Sequence, residues 1–180
     1  MNTFIKGVTM PKIIGNVREN IIQEAKRVML ESTEPLNVRS ISQACHIAVG
    51  TFYNYFESKE YLMAVVLLED WNALMQKLAL DTKNLTPREG LKSIFFGIRD
   101  FTAKYQKAWR SGELTADAMR EKSDRHTLLI SQIKACIDCF IPHPFDPFLN
   151  EFLAENILRF ASERSTDYED LDRMITKLLN

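Results

Sequence analysis

Glycine and proline are scarce, six of each in 180 residues, and no stretch alternates apolar with polar residues as a half-buried strand would. Those two shortages argue against a sheet and predict an all-α fold. Nor is there a run near the ~20 unbroken apolar residues that a membrane span needs, and the opening MNTFIKGVTMPK lacks the apolar core of a secretion signal. The three cysteines are too few and odd in number for a disulfide framework, which fits a reducing compartment. Together these shortages place the protein in the cytoplasm. Catalytic signatures are missing as well: there is no glycine-rich phosphate loop, no nucleophile elbow and no HExxH. Nothing in the pattern points to an enzyme. Excess positive charge is also lacking, with 23 basic against 24 acidic side chains. That balance leaves room for a locally basic face masked by acidic residues elsewhere, and Lys6, Lys12, Arg18, Lys26 and Arg27 outnumber Glu19 and Glu24 near the start.

What the chain has is helical periodicity. The most informative stretch is VRSISQACHIAVGTFYNYFESKEYL at residues 38–62. Asn37 stands where an N-cap belongs, and Val38, Ile41 and Ala44 recur at three-residue steps, so a short helix opens there. His46, Ile47 and Ala48 span a tight turn. A second stripe, Phe52, Tyr55 and Phe56, closes on the first. The outer face of this second helix gathers Val49, Gly50, Thr51, Tyr53, Asn54 and Tyr55. Glycine admits another backbone, Thr and Asn hydrogen-bond base edges, and tyrosine hydroxyls reach phosphates. Ser58 caps the next helix, and the Lys59 ammonium beside its free N–H groups suits a phosphate.

Ile41-x-x-Ala44, then GTFYNYF at 50–56 and SKEYL at 58–62, resembles the DNA-binding domain of TetR/AcrR-family transcriptional regulators. The resemblance implies DNA contacts at Val38 and Arg39, with the capping Asn37 beside them. It implies others at Ala48, Val49, Gly50, Thr51, Tyr53, Asn54, Tyr55 and Lys59. Two positions depart from the family pattern: His46 replaces the usual turn glycine, and Ala48 replaces a Ser or Thr cap worth about 1 kcal/mol.

About nine helices are expected along the chain. Residues 1–15 read as a flexible arm, residues 16–62 as a three-helix helix-turn-helix domain, and residues 63–180 as a helical ligand-binding and dimerisation domain. The first helix starts at Asn16 with Glu19 at capping-box spacing and turns Ile21, Ile22, Ala25, Val28 and Met29 inward. A long helix from Lys59 to about Leu80 crosses the boundary and is the natural lever between the domains. Thr86, Pro87 and Glu89 open the next, a short helix follows over 114–120, and Asp124 begins another. The prolines over 142–147 break the pattern, and the helix after them precedes a last one boxed by Thr166 and Glu169.

In the second half, Phe95, Phe96, Tyr105, Trp109 and Phe140, with Arg99 and His126 as polar groups, either line a ligand cavity or are plain core. The cavity itself, and a small-molecule effector that changes the separation of two reading heads, are implied by the resemblance. So is pairing of the last two helices with those of a second chain, through Phe148, Phe152, Ile157, Phe160, Leu171, Met174, Ile175 and Leu178. The alternative is that those helices pack only on their own domain. The expected function is a homodimeric repressor released from a pseudo-palindromic duplex by a small molecule, with no cofactor. The rival reading is a redox or metal protein built on Cys136, Cys139 and His143. Three ligands fall one short of a structural zinc site, and Cys136 shares a helix face with Ile133 and Phe140 as a small buried hydrophobe would.

Overall fold

Helix ends in this chain are written in short polar side chains. Asn37 Oδ1 accepts from Arg39 N at 2.8 Å and from Ser40 N at 3.4 Å, and Ser58 Oγ accepts from Tyr61 N at 3.0 Å. Thr86 and Glu89 form a reciprocal capping box. Asn16 departs from the expected cap: it lies in the left-handed region at φ 71°, and its side chain makes no capping bond. In that conformation the side chain does not reach the first-turn N–H groups, and Glu19 accepts instead from Gln23, one turn on.

The computed structural model describes residues 16–32, 34–106, 122–141, 147–163 and 167–179. Residues 1–15, the short helix expected over 114–120, the break over 142–146, and Trp109, His143 and Thr166 lie outside them. Among the described residues there are eight helices and no strand: α1 Val17–Glu31, α2 Val38–Ala44, α3 Val49–Tyr53, α4 Lys59–Asp81, α5 Pro87–Lys104, α6 Lys122–Asp138, α7 Pro147–Ser162 and α8 Tyr168–Leu179. The fold is all-α. None of these helices is long and apolar enough to cross a membrane.

Two clusters of buried side chains organise them. The first joins Ile21, Ile22, Ala25 and Met29 of α1 to Ile41 of α2, Phe52 of α3, Phe56, and Leu62, Met63 and Val66 of α4. The second joins Trp71, Met75 and Leu78 of α4 to Leu91, Ile94, Phe95 and Ile98 of α5 and to the inward faces of α6, α7 and α8. The changeover on α4 falls between Val66 and Trp71, so one 23-residue helix is core to both clusters. Ala44 and Tyr55, expected on the apolar stripes of α2 and α3, are exposed. Phe52 and Phe56, four residues apart, already fill the floor beneath α3, so Tyr55 is turned outward.

Close packing within the second cluster depends on Gly90. A Cβ there would stand 2.6 Å from the Phe140 ring, so α5 carries glycine at this position despite its poor helix propensity. Phe140 is thus a core side chain lying on the α5 backbone.

The clusters are also tied by charge. Asp70 of α4 bonds Lys26 of α1 through Oδ1, while Lys104 Nζ and Tyr105 Oη donate to Oδ2 at 2.8 and 2.5 Å. Burial alone would raise the Asp70 carboxyl, but the bonds from Lys104, Lys26 and Tyr105 outweigh it and hold it at about 2, below its ordinary 3.8. A depressed carboxylate contributes stability that is present above the unfolded value and is lost as pH falls toward the folded one. Asp70 should therefore contribute ~1–2 kcal/mol at neutral pH, fading between about pH 5 and pH 2. Urea unfolding across that range should show a shallower acid slope for Asp70→Asn than for the wild type; equal slopes would contradict the assignment.

Candidate DNA-binding surface

The surface is built on α2, the turn after it, and α3. Cys45 and His46 end α2 by turning the chain, with His46 at φ 55°, the left-handed position where glycine is usual. The turn is closed by Ile47 N donating to Ser42 O at 2.9 Å, with Ser42 buried beneath it. Ala48 occupies the N-cap of α3 without a side-chain bond, as its methyl requires.

A helix of five residues has little stability of its own, so α3 is positioned by what lies under it. Phe52 is fully buried and Phe56 nearly so. Tyr53 packs edge-on against Phe52 at 5.3 Å, Tyr61 of α4 lies 6.3 Å from Phe56, and the Arg18 guanidinium of α1 stands 5.6 Å from the Phe56 ring. Two helices, α1 and α4, thereby hold the floor of α3. Its other face is open: Val49, Gly50, Tyr53, Asn54 and Tyr55 are exposed, with Tyr53 at 53%, and Thr51 is half-buried.

The flanking residues divide. Arg39 is exposed at the start of α2 beside half-buried Val38, which packs against the first cluster. The side-chain Oδ1 of Asn37 is spent on capping α2. Lys59 opens α4 after a five-residue link from the end of α3, its ammonium 4.0 Å from the Glu60 carboxylate. The chain thus presents polar, aromatic and cationic groups around one short convex helix, the shape and chemistry that fit a major groove.

The other expected sites are rearranged. Phe95, Phe96 and Arg99 do come together, with Tyr168 of α8: ring centroids lie 5.2–5.6 Å apart and the Arg99 guanidinium is 4.4 Å from the Phe95 ring. Tyr105 is elsewhere, in the first cluster with its hydroxyl on Asp70. His126 is at the surface, its Nε2 3.0 Å from Glu155. Sequence reading found neither Tyr168 as part of the aromatic group nor Asp70; both depend on contacts 35 to 73 residues apart in numbering between α1, α4, α5 and α8, which periodicity does not carry.

Of the residues expected to face a second chain, Ile157, Leu171 and Ile175 are instead buried in this chain's own core, because they lie on the sides of α7 and α8 that pack against α5. Phe160 is half-buried against the same cluster. Phe148, Phe152 and Met174 are exposed, as is Leu128 of α6. The side chain of Leu178 lies outside those described. The cysteines are divided too: Cys136 is buried, with burial first and Cys139 second pushing its thiol up to about 11, whereas Cys139 is exposed. Among the described residues no cluster of three His, Cys, Asp or Glu side chains is placed to hold a metal ion.

No curated protein matches the chain. A family sequence model does: residues 21–66, from the middle of α1 through the reading helix to Val66, match that of the bacterial regulatory proteins of the tetR family. The matched span takes in α2, α3 and most of α1 and ends at the last α4 residue buried in the first cluster, and the chain accordingly carries the DNA-binding domain of a transcriptional regulator of the tetR family.

Proposed function

We propose that the protein is a homodimeric repressor whose two α3 helices enter successive major grooves on one face of a pseudo-palindromic duplex and are displaced when a small molecule binds among the C-terminal helices. The observation that carries this reading is α3 itself, held rigidly from below by Phe52 and Phe56 while Val49, Gly50, Tyr53, Asn54 and Tyr55 stand open. Base edges would be read by Thr51 and Asn54. Arg39 and Lys59 would take phosphates, with Tyr53 and Tyr55 at the groove walls. Pairing of two chains through the exposed apolar side of α7, where Phe148 and Phe152 stand open, would set the heads about one helical turn, ~34–36 Å, apart. The effector site is assigned to Phe95, Phe96, Arg99 and Tyr168, where aromatic faces and a half-buried guanidinium suit a flat or anionic molecule.

Residues 16–66 would then form the reading domain and the remainder the effector and pairing domain, with α4 common to both. A ligand releases DNA only by preferring a differently spaced pair, so its effect is bounded by that difference in affinity.

A gel shift with duplex DNA from beside the protein's own gene, repeated against a panel of small aromatic and anionic molecules, tests the reading. Retarded DNA freed by one of them is the expected result. On the same DNA, Lys59→Ala should weaken binding to all sequences alike and reduce the slope of log K against log salt by about 2 per dimer, one phosphate per head. Thr51→Ala and Asn54→Ala should change which sequence is preferred and leave the slope alone. An unaltered slope in Lys59→Ala removes Lys59 from the phosphate contacts.

A further inference from the structure

The last turn of α5 belongs to the second half of the chain in sequence and to the first buried cluster in space. Phe101 packs against both clusters, its ring 5.4 Å from Trp71 and 5.1 Å from Tyr105, and Tyr105 is fully buried among the residues that support the reading head. The tyrosine hydroxyl and Lys104 share one oxygen of Asp70, while Lys26 of α1 holds the other. The Asp70 side chain is only 14% exposed. The next residue on α4, Trp71, donates to Gln132 of α6 at 2.7 Å, and Gln132 donates in turn to Asn72 at 2.9 Å. Three consecutive residues of α4 therefore grip α1, α5 and α6.

We infer that Asp70 is the joint through which the C-terminal helices set the position of the reading head. The inference rests on the two-headed reading above and names its regulation. The carboxylate is divided by oxygen: Oδ1 faces the brace of the head, and Oδ2 faces the end of α5. A shift of that end changes the donors on Oδ2 and is passed to α1 through the same rigid group. Because a largely buried carboxylate short of donors is strongly disfavoured, such a joint moves between discrete arrangements and does not stretch smoothly. It fixes the angle of each head against its own C-terminal unit. In a dimer it therefore fixes the spacing between heads, while leaving the surface of each head alone.

That separation gives the test. The full chain carrying Lys104→Met with Tyr105→Phe keeps the Lys26 bond and frees Oδ2. Its affinity is measured on the duplex retarded in the gel shift, and on the same duplex cut at its centre of pseudo-symmetry so that one half-site remains. The expected result is half-site affinity within about twofold of the wild type and full-site affinity about tenfold weaker, while Lys104→Arg alone keeps both at the wild-type level. Affinities that both stay at the wild-type level overturn the joint, as do affinities that fall together, since the network would then merely support the head. If thermal unfolding shows that the double variant does not fold, Tyr105→Phe alone, which leaves the ring and both ammonium groups in place, must show the same split at about threefold. A wild-type chain that binds half and full duplexes equally well sinks the two-headed reading, and the joint with it. Normal wild-type preference with an unsplit variant sinks the joint alone.

Discussion

Replacing Gly50 with alanine should make the protein more stable and a worse DNA binder. Gly50 is the second residue of α3, its backbone is outside the left-handed region, and a Cβ built on it meets nothing within 4 Å. Inside the molecule, then, glycine is a net cost: in a helix it is worth roughly 0.5–1 kcal/mol less than alanine. Relief of that cost should raise the melting temperature by about 1–4 °C for a chain of this size. The reason for glycine must lie outside the molecule, in a second surface that comes closer to the α3 backbone than a methyl group allows. If that surface is the duplex, each head should lose on the order of 1 kcal/mol, and two heads together about 30-fold in affinity. Thermal melts and binding titrations of the one variant give both signs. Tighter or unchanged binding would move the DNA away from the start of α3, and lower stability would mean that Gly50 has a role in folding. The contrast is Gly90, where a Cβ would strike the Phe140 ring at 2.6 Å and the glycine is explained by the fold alone.

The two glycines also mark how far the sequence could be read. Local chemistry was legible: Asn37, Ser58 and Thr86 cap the helices they were expected to cap, since a cap depends on residues within one turn. His46 was legible for the same reason, as a turn of fixed length leaves one residue at positive φ. Asn16 was not, because its left-handed backbone depends on how the chain enters α1. Gly50 and Gly90 look alike in sequence, and only three-dimensional neighbours separate a residue spared for a partner from one spared for a ring. Tyr105 keeps perfect step with Ile98 and Phe101 along α5, yet it crosses into the other cluster, because periodicity names a helix's apolar side and not what that side will meet.

The same limit applies to α7 and α8, where apolar residues surround more than one side, and it leads to the remaining large effect. Ile157, Leu171 and Ile175 are buried in the chain itself, so the proposed pairing surface falls to the opposite side, where Phe148 is 74% and Phe152 48% exposed. His126 of α6 reaches Glu155, one turn past Phe152, which places the start of α6 beside the same surface. A two-fold interface uses each residue twice, so Phe152→Glu would bring two new carboxylates into one apolar contact while removing two rings. The variant should keep its helical content, because the ring it loses is half open to solvent. It should sediment as a monomer and bind the full duplex on the order of 100-fold more weakly, since the second head no longer acts at the high effective concentration that the first provides. Half-site affinity should stay near the wild-type level. Ile157→Ala supplies the opposite pattern: a cavity in the core costs about 2–5 kcal/mol of stability, and at temperatures where the variant is folded it should remain a dimer. If Phe152→Glu still sediments as a dimer while Ile157→Ala does not, pairing runs through some other surface, and the head spacing must be set from there.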